Sequence, residues 1–250
     1  MLYNLQMTTS IAVPISGAPE RPTIEISAVE RRRRWLEICP VLLVAFGPPI
    51  LHSLYLLVYG PGASAQVSNI RSASGLLQEA TALAVLGYVL SRRGVKLAQL
   101  GFRWSLREVG VGLLLTVLSY AAYAVGGGTI QFVHHLLYGS FAHHPSGKDF
   151  FAHPSVLFIP YTLLNPFFEE LIVRAYLMTE VIELTGSSML AVVLSVGVQS
   201  AYHLYYGWAG AASIAFFFLV LALYYVRTRR ALPIIVAHAV SDVYALIRLW

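Results

Sequence analysis

This chain carries seven long, mostly apolar runs separated by short polar or basic connections: 35–59, 75–91, 109–133, 154–184, 187–206, 208–226 and 231–249. A helix that crosses the roughly 30 Å hydrocarbon core needs about 20 such residues. Inside a bilayer the backbone must satisfy its own hydrogen bonds, so runs of this kind are read as helices. The charged fraction, 12%, is half the roughly 25% of an ordinary soluble domain. With 57% hydrophobic residues, it excludes a disordered chain and disfavours a soluble one. The expected fold is all-α: a polytopic transmembrane bundle of about seven to eight spans enclosing an intramembrane polar cavity.

The connections carry the topology signal. Arg31–Arg34, then Arg92, Arg93 and Lys96, then Arg227, Arg229 and Arg230 fall on one side if the spans alternate. That side is expected to be cytosolic, in a plasma or inner membrane, with the N-terminus inside. The formal charge of +5 is therefore assigned to membrane orientation and not to nucleic acid. Residues 1–34 are expected to form a disordered basic cytosolic tail; they contain Pro14, Pro19 and Pro22 and no apolar signal segment. Its closing arginines would anchor on anionic lipid. Residues 35–250 would be one membrane-embedded domain, with a motif-bearing core at about 154–245. Residues 60–74 are read as a loop and 97–107 as an interfacial segment. Pro48 and Pro49 should kink the first span, Gly126–Gly128 should loosen the third, and Pro160 and Pro166 are break points in the fourth. The single cysteine, Cys39, makes no intrachain disulfide and is expected to be a small buried filler.

Ionisable residues inside spans are costly and mark function by default. Three groups stand out in the C-terminal half. In FFEELIVRAYL, Glu170 and Arg174 are helical i,i+4 neighbours with the acid first, the better orientation for a pair. Glu169 is rotated about 100° away and stays free for chemistry. In SAYHLYYG, His203 lies near the end of a span, and in HAVSD, His238 and Asp242 share one helix face. Each group also has a structural reading: a buried ion cluster, a satisfied histidine, a helix-bracing pair. Together they could activate a water and protonate a leaving amine. They could equally ligate one Zn²⁺ through Glu169, His203, His238 and Asp242. Spacing alone leaves both open.

The ordered set Glu-Glu-x-x-x-Arg, a histidine after a span, and His-x-x-x-Asn/Asp resembles the CAAX-protease and bacteriocin-processing (CPBP, or Abi) family of intramembrane endopeptidases. Here these are Glu169, Glu170 and Arg174, then His203, then His238 and Asp242. The resemblance covers roughly 154–245. It implies that Glu169 with His203 polarises the attacking water, that His238 with Asp242 stabilises the oxyanion, and that Glu170 and Arg174 are a structural ion pair. It implies a peptide or lipidated-peptide substrate met in membrane lipid: a prenylated C-terminus, a leader peptide or a membrane-protein segment. No cofactor is favoured, although a zinc-dependent mechanism has been assigned to the family as well as a metal-free one. One departure concerns the middle motif, usually Phe-x-x-x-His, where Gln199 stands in the Phe position. It bears on the packing or substrate pocket beside His203.

Other protease chemistries find no support. The chain has no His-Glu-x-x-His and no Gly-x-Ser-x-Gly, and of its aspartates, Asp149 and Asp242, the first falls in a connection. Two further functions compete with the protease. His134, His135, His143, His144 and His153 could gather a divalent metal, as in a metal or proton transporter. A non-catalytic scaffold or immunity-type protein could keep the motifs as bracing. Depth is a constraint on any common site. His203 lies about 24 Å along a helix that starts near Ser187, against a mid-span Glu169. Bringing them together requires tilted helices, a break at Pro166, or boundaries other than those of 187–206.

Overall fold

A computed structural model describes residues 26–60, 69–142 and 155–249. Residues through 25, and with them most of the expected tail, lie outside the described residues, as do Asp149, His143, His144 and His153. The described chain is helical, with no strand. The helices are α1 (Ala28–Tyr59), α2 (Asn69–Arg92), α3 (Leu106–Tyr138) and α4 (Phe158–Glu169). A π-helical segment, Glu170–Met178, continues α4 into α5 (Thr179–Thr185). Then come α6 (Ser188–Tyr202), α7 (Gly207–Thr228) and α8 (Ala231–Leu249).

Local chemistry sets several of these starts. Ser27, Ser105 and Ser187 each accept a hydrogen bond from the backbone N–H three residues on, satisfying a donor the first helical turn leaves free. The cap at Ser27 moves the start of α1 to Ala28, so the end of the expected tail, including Arg31–Arg34, is helical. α2 likewise absorbs residues 69–74 of the expected loop.

Among the described residues, five helical stretches are long and apolar enough to cross a membrane: Ala28–Tyr59, Asn69–Arg92, Leu106–Tyr138, Leu204–Thr228 and Ala231–Leu249. The run 187–206 becomes the shorter α6, which ends at Tyr202, and 154–184 becomes α4, the π segment and α5. Much of the outer surface is Leu, Val, Ile and aromatic, as a lipid-facing surface requires. Cys39 belongs to that outer surface and is not a buried filler: Ile38 and Val41 take the inward positions of its turn.

α3 runs unbroken through Gly126–Gly128. A Cβ at Gly126 would overlap the Phe216 ring of α7, so this glycine permits close helix contact instead of loosening the helix. Gly112 does the same against α8, where a Cβ would lie 2.6 Å from Val236 Cβ and 2.8 Å from the Pro233 carbonyl oxygen.

One end of the bundle is held by ions. Arg34 bonds Glu180 (2.7 Å) and Glu183 (2.6 Å), and Arg93 meets Glu180 at 3.0 Å. Arg229 donates to Thr179 at 3.1 Å, and Arg230 pairs with Glu108 at 2.6 Å. Arg34 is buried in this network, so it ties α1 to α5 and is not a lipid anchor. The three basic clusters thus supply residues to the same end of the bundle.

Candidate active site

The site forms where α4 passes into the π segment, beside α6 and α8. Pro166 withdraws one backbone donor just before the hydrogen-bond register widens at Glu170. A wider register holds more residues per turn, which narrows the angle between successive side chains. Glu169 and Glu170 consequently face one imidazole: His238 Nδ1 lies 2.9 Å from Glu170 Oε1, and Nε2 lies 3.9 Å from Glu169 Oε2. Glu169, although a successive residue on the helix, thus reaches the same imidazole as Glu170 through the other ring nitrogen.

The Glu170–Arg174 pair is present, at 3.3 Å, with both side chains fully buried. Glu170 does more than brace Arg174, because it is also the direct partner of His238. Asp242, expected in that place, stands 3.6 Å from His238 Nε2, just outside hydrogen-bond reach. A carboxylate can only accept, so Nδ1 carries a proton toward Glu170. Nε2 is left facing Glu169 and Asp242 across gaps that a small oxygen species can bridge.

Gln199 joins the two acids of α4 and the π segment through Arg174. Arg174 Nη1 donates to Gln199 Oε1 at 2.8 Å, and Gln199 Nε2 donates to Glu169 Oε2. Arginine has no acceptor, so the amide oxygen must face it and the amide N–H₂ must face Glu169. The position that the resemblance flagged as a pocket change is therefore a direct partner of Glu169. On the other side, Asn165 Nδ2 donates to Glu169 Oε1 at 3.0 Å and to Glu79 Oε1 of α2 at 2.9 Å. Glu79 and Asn165 escaped the sequence reading. The signal for Glu79 was available, since it is an acid inside the apolar run 75–91. Asn165 offered only a neutral amide four residues before Glu169.

His203 is placed next to this group. Its Nδ1 bonds the Gln199 carbonyl at 2.8 Å, as the residue that closes α6. Donation from Nδ1 to a carbonyl leaves the Nε2 lone pair available. Tyr206 lies parallel to the ring, and Tyr202 and Tyr205 lie tilted against it. Phe218 of α7 lies 5.5 Å from His203 and 5.2 Å from His238, between the two imidazoles, and Arg174 sits over its face at 4.7 Å. Glu169 and His203 lie seventeen residues before and after the turn at Gly186, so α6, packed against the π segment, brings Gln199 and His203 to the level of Glu169.

Glu169 is 1% exposed and His238 4%, whereas the Asp242 side chain is 23% exposed. The cluster therefore opens on the Asp242 side of α8. Among the described residues no three His, Cys, Asp or Glu converge as ligands for a metal ion.

Residues 151–244 match the sequence model of a family described as Type II CAAX prenyl endopeptidase Rce1-like. No curated protein and no solved structure matches the chain. The matched segment contains Glu169, Glu170, Arg174, Gln199, His203, His238 and Asp242. That segment is under half of the chain, and the family it matches is the one that the motifs resemble.

Proposed function

We propose that this protein is an intramembrane endopeptidase that hydrolyses a peptide bond of a membrane-associated substrate, either a prenylated C-terminal peptide or a leader peptide. The observation that carries this reading is Glu169, a buried carboxylate held by two carboxamide donors while its Oε2 faces His238 Nε2 across 3.9 Å. A fixed carboxylate at membrane depth beside an imidazole is suited to water activation. Glu169 removes a proton from water, with the free Nε2 of His203 assisting, as the water oxygen bonds the scissile carbonyl carbon. His238, held at Nδ1 by Glu170 and with Asp242 beside Nε2, donates from Nε2 to the oxyanion. The proton on Glu169 then passes to the amide nitrogen as the C–N bond breaks, giving a carboxylate and an amine. Glu170 and Arg174 hold the frame. Substrate approaches past Asp242, the exposed edge of the cluster.

The test is cleavage of quenched-fluorescent peptides, prenylated and leader-like, by detergent-purified protein. Glu169→Gln should lower kcat by about 10²–10⁴-fold, the range of general-base catalysis, while the protein stays folded. Cleavage that survives chelator supports water activation by Glu169 without a metal, and loss that zinc restores would replace it with a metal mechanism. Wild-type cleavage by Glu169→Gln, or no cleavage of any peptide by folded wild-type protein, would overturn the reading. The second result would turn attention to the scaffold and transporter functions.

A further inference from the structure

Glu79 lies in α2, far from the matched segment 151–244, yet its carboxylate is 1% exposed and reaches the site. Asn165 Nδ2 carries two hydrogens and stands between two carboxylate oxygens, Glu79 Oε1 at 2.9 Å and Glu169 Oε1 at 3.0 Å. Both neighbours accept, so the chemistry fixes which end of the Asn165 amide points inward. From these contacts we infer that Glu79 is a positioning residue for Glu169, acting through Asn165. The inference rests on the proposed role of Glu169 as the base.

Glu169 is clamped on both oxygens by carboxamides, and each carboxamide is itself held by an ionisable group. Gln199 is held by Arg174, and Asn165 by Glu79. Without Glu79, one Asn165 N–H loses its acceptor, and the amide turns to find another partner. Rotation of Asn165 releases Oε1 of Glu169, and the carboxylate gains rotamers that do not face His238. A misplacement of about 1 Å at a reacting group can cost 10²-fold in rate. The second oxygen of Glu79 has no hydrogen-bond partner, so its described hold on the site runs through Asn165 alone. α2 thereby contributes to catalysis without touching the substrate.

The experiment is peptide cleavage by the full chain carrying Glu79→Leu, Glu79→Gln, Asn165→Leu or Glu79→Leu with Asn165→Leu, with Glu169→Gln alongside. Glu79→Leu should lower kcat about 10- to 100-fold with KM unchanged. Glu79→Gln keeps an acceptor oxygen and should recover kcat to within about threefold of wild type. The double variant should be no slower than Asn165→Leu, because both changes break one linkage. Wild-type kcat in Glu79→Leu, a loss in Glu79→Gln equal to that in Glu79→Leu, or additive losses in the double variant would each overturn the inference. If Glu79→Leu does not fold, Glu79→Asp carries the test: its shorter reach should lower kcat at constant KM, and wild-type kcat would overturn the role. An active Glu169→Gln overturns the base assignment itself. An inactive Glu169→Gln beside a fully active Glu79→Leu overturns only the part given to Glu79.

Discussion

Arg174 is the residue whose loss would spread furthest. It is fully buried, pairs with Glu170, orients Gln199 and lies over Phe218. Removing one partner of a buried pair strands the other charge, at a cost of about 3–5 kcal/mol. Arg174→Ala is accordingly expected to give little folded protein, seen as low yield and a lowered melting temperature in detergent. Normal accumulation with full cleavage activity would show that the brace is not needed. The site residues found in the sequence alone were ionisable ones: Glu169, Glu170, Arg174, His203, His238 and Asp242 each interrupt an apolar run, and an ionisable group buried in a membrane needs a reason. Asn165 is neutral and costs less to bury, so it did not force attention, and Gln199 stood out only as a departure from the middle motif of the family the chain resembles. Which acid would partner His238 was also not legible. It depends on the i→i+5 register after Pro166, and helix-period reasoning assumes 3.6 residues per turn.

At the scale of elements, two departures from regular spans build the site. The π segment turns both acids toward α8, and the short α6 ends inside the bundle instead of crossing it. Fifteen residues of α helix extend about 22 Å, short of the roughly 30 Å hydrocarbon core. Hydropathy marked 187–206 as one run because Leu204, Tyr205 and Tyr206 continue the apolar composition after the helix has stopped. Composition reports what the lipid tolerates, not where the backbone turns. The position of α8, which carries His238 and Asp242, depends on its seat against Gly112 of α3, with Thr116 reaching the Ala237 carbonyl at 3.4 Å. Gly112→Val would push Val236 and the Pro233 carbonyl outward. Overpacking of this kind costs about 1–3 kcal/mol and would move His238 away from Glu170. The expected result is a lower melting temperature together with a lower kcat for peptide cleavage. An unchanged kcat would mean that α8 is positioned by its contacts with α4 and the π segment alone.

Across the whole molecule, the ionic end and the catalytic cluster occupy different depths. Glu180 lies eleven residues beyond Glu169, about 16 Å along an α helix and less through the π segment. Arg34, Arg93 and Arg229 gather around Thr179, Glu180 and Glu183, so the basic residues mark one end of the bundle and the site lies further along it. This arrangement gives physical form to the basic-cluster pattern in the sequence. α1 starts at that end, α2 finishes there and α3 starts there, so α3 finishes at the opposite end. If the basic end is cytosolic, as the positive-inside rule requires, the last turn of α2 and the last turn of α3 must face opposite compartments. Ser91 and Tyr138 are exposed positions in those turns. With Cys39 replaced by Ser, Ser91→Cys should resist a membrane-impermeant maleimide added outside intact cells and react once the membrane is opened. Tyr138→Cys should react in intact cells. Reversed labelling would place the basic end outside. Labelling of both positions from the same side would break the alternation of α2 and α3 and, with it, the seven-run reading of the chain.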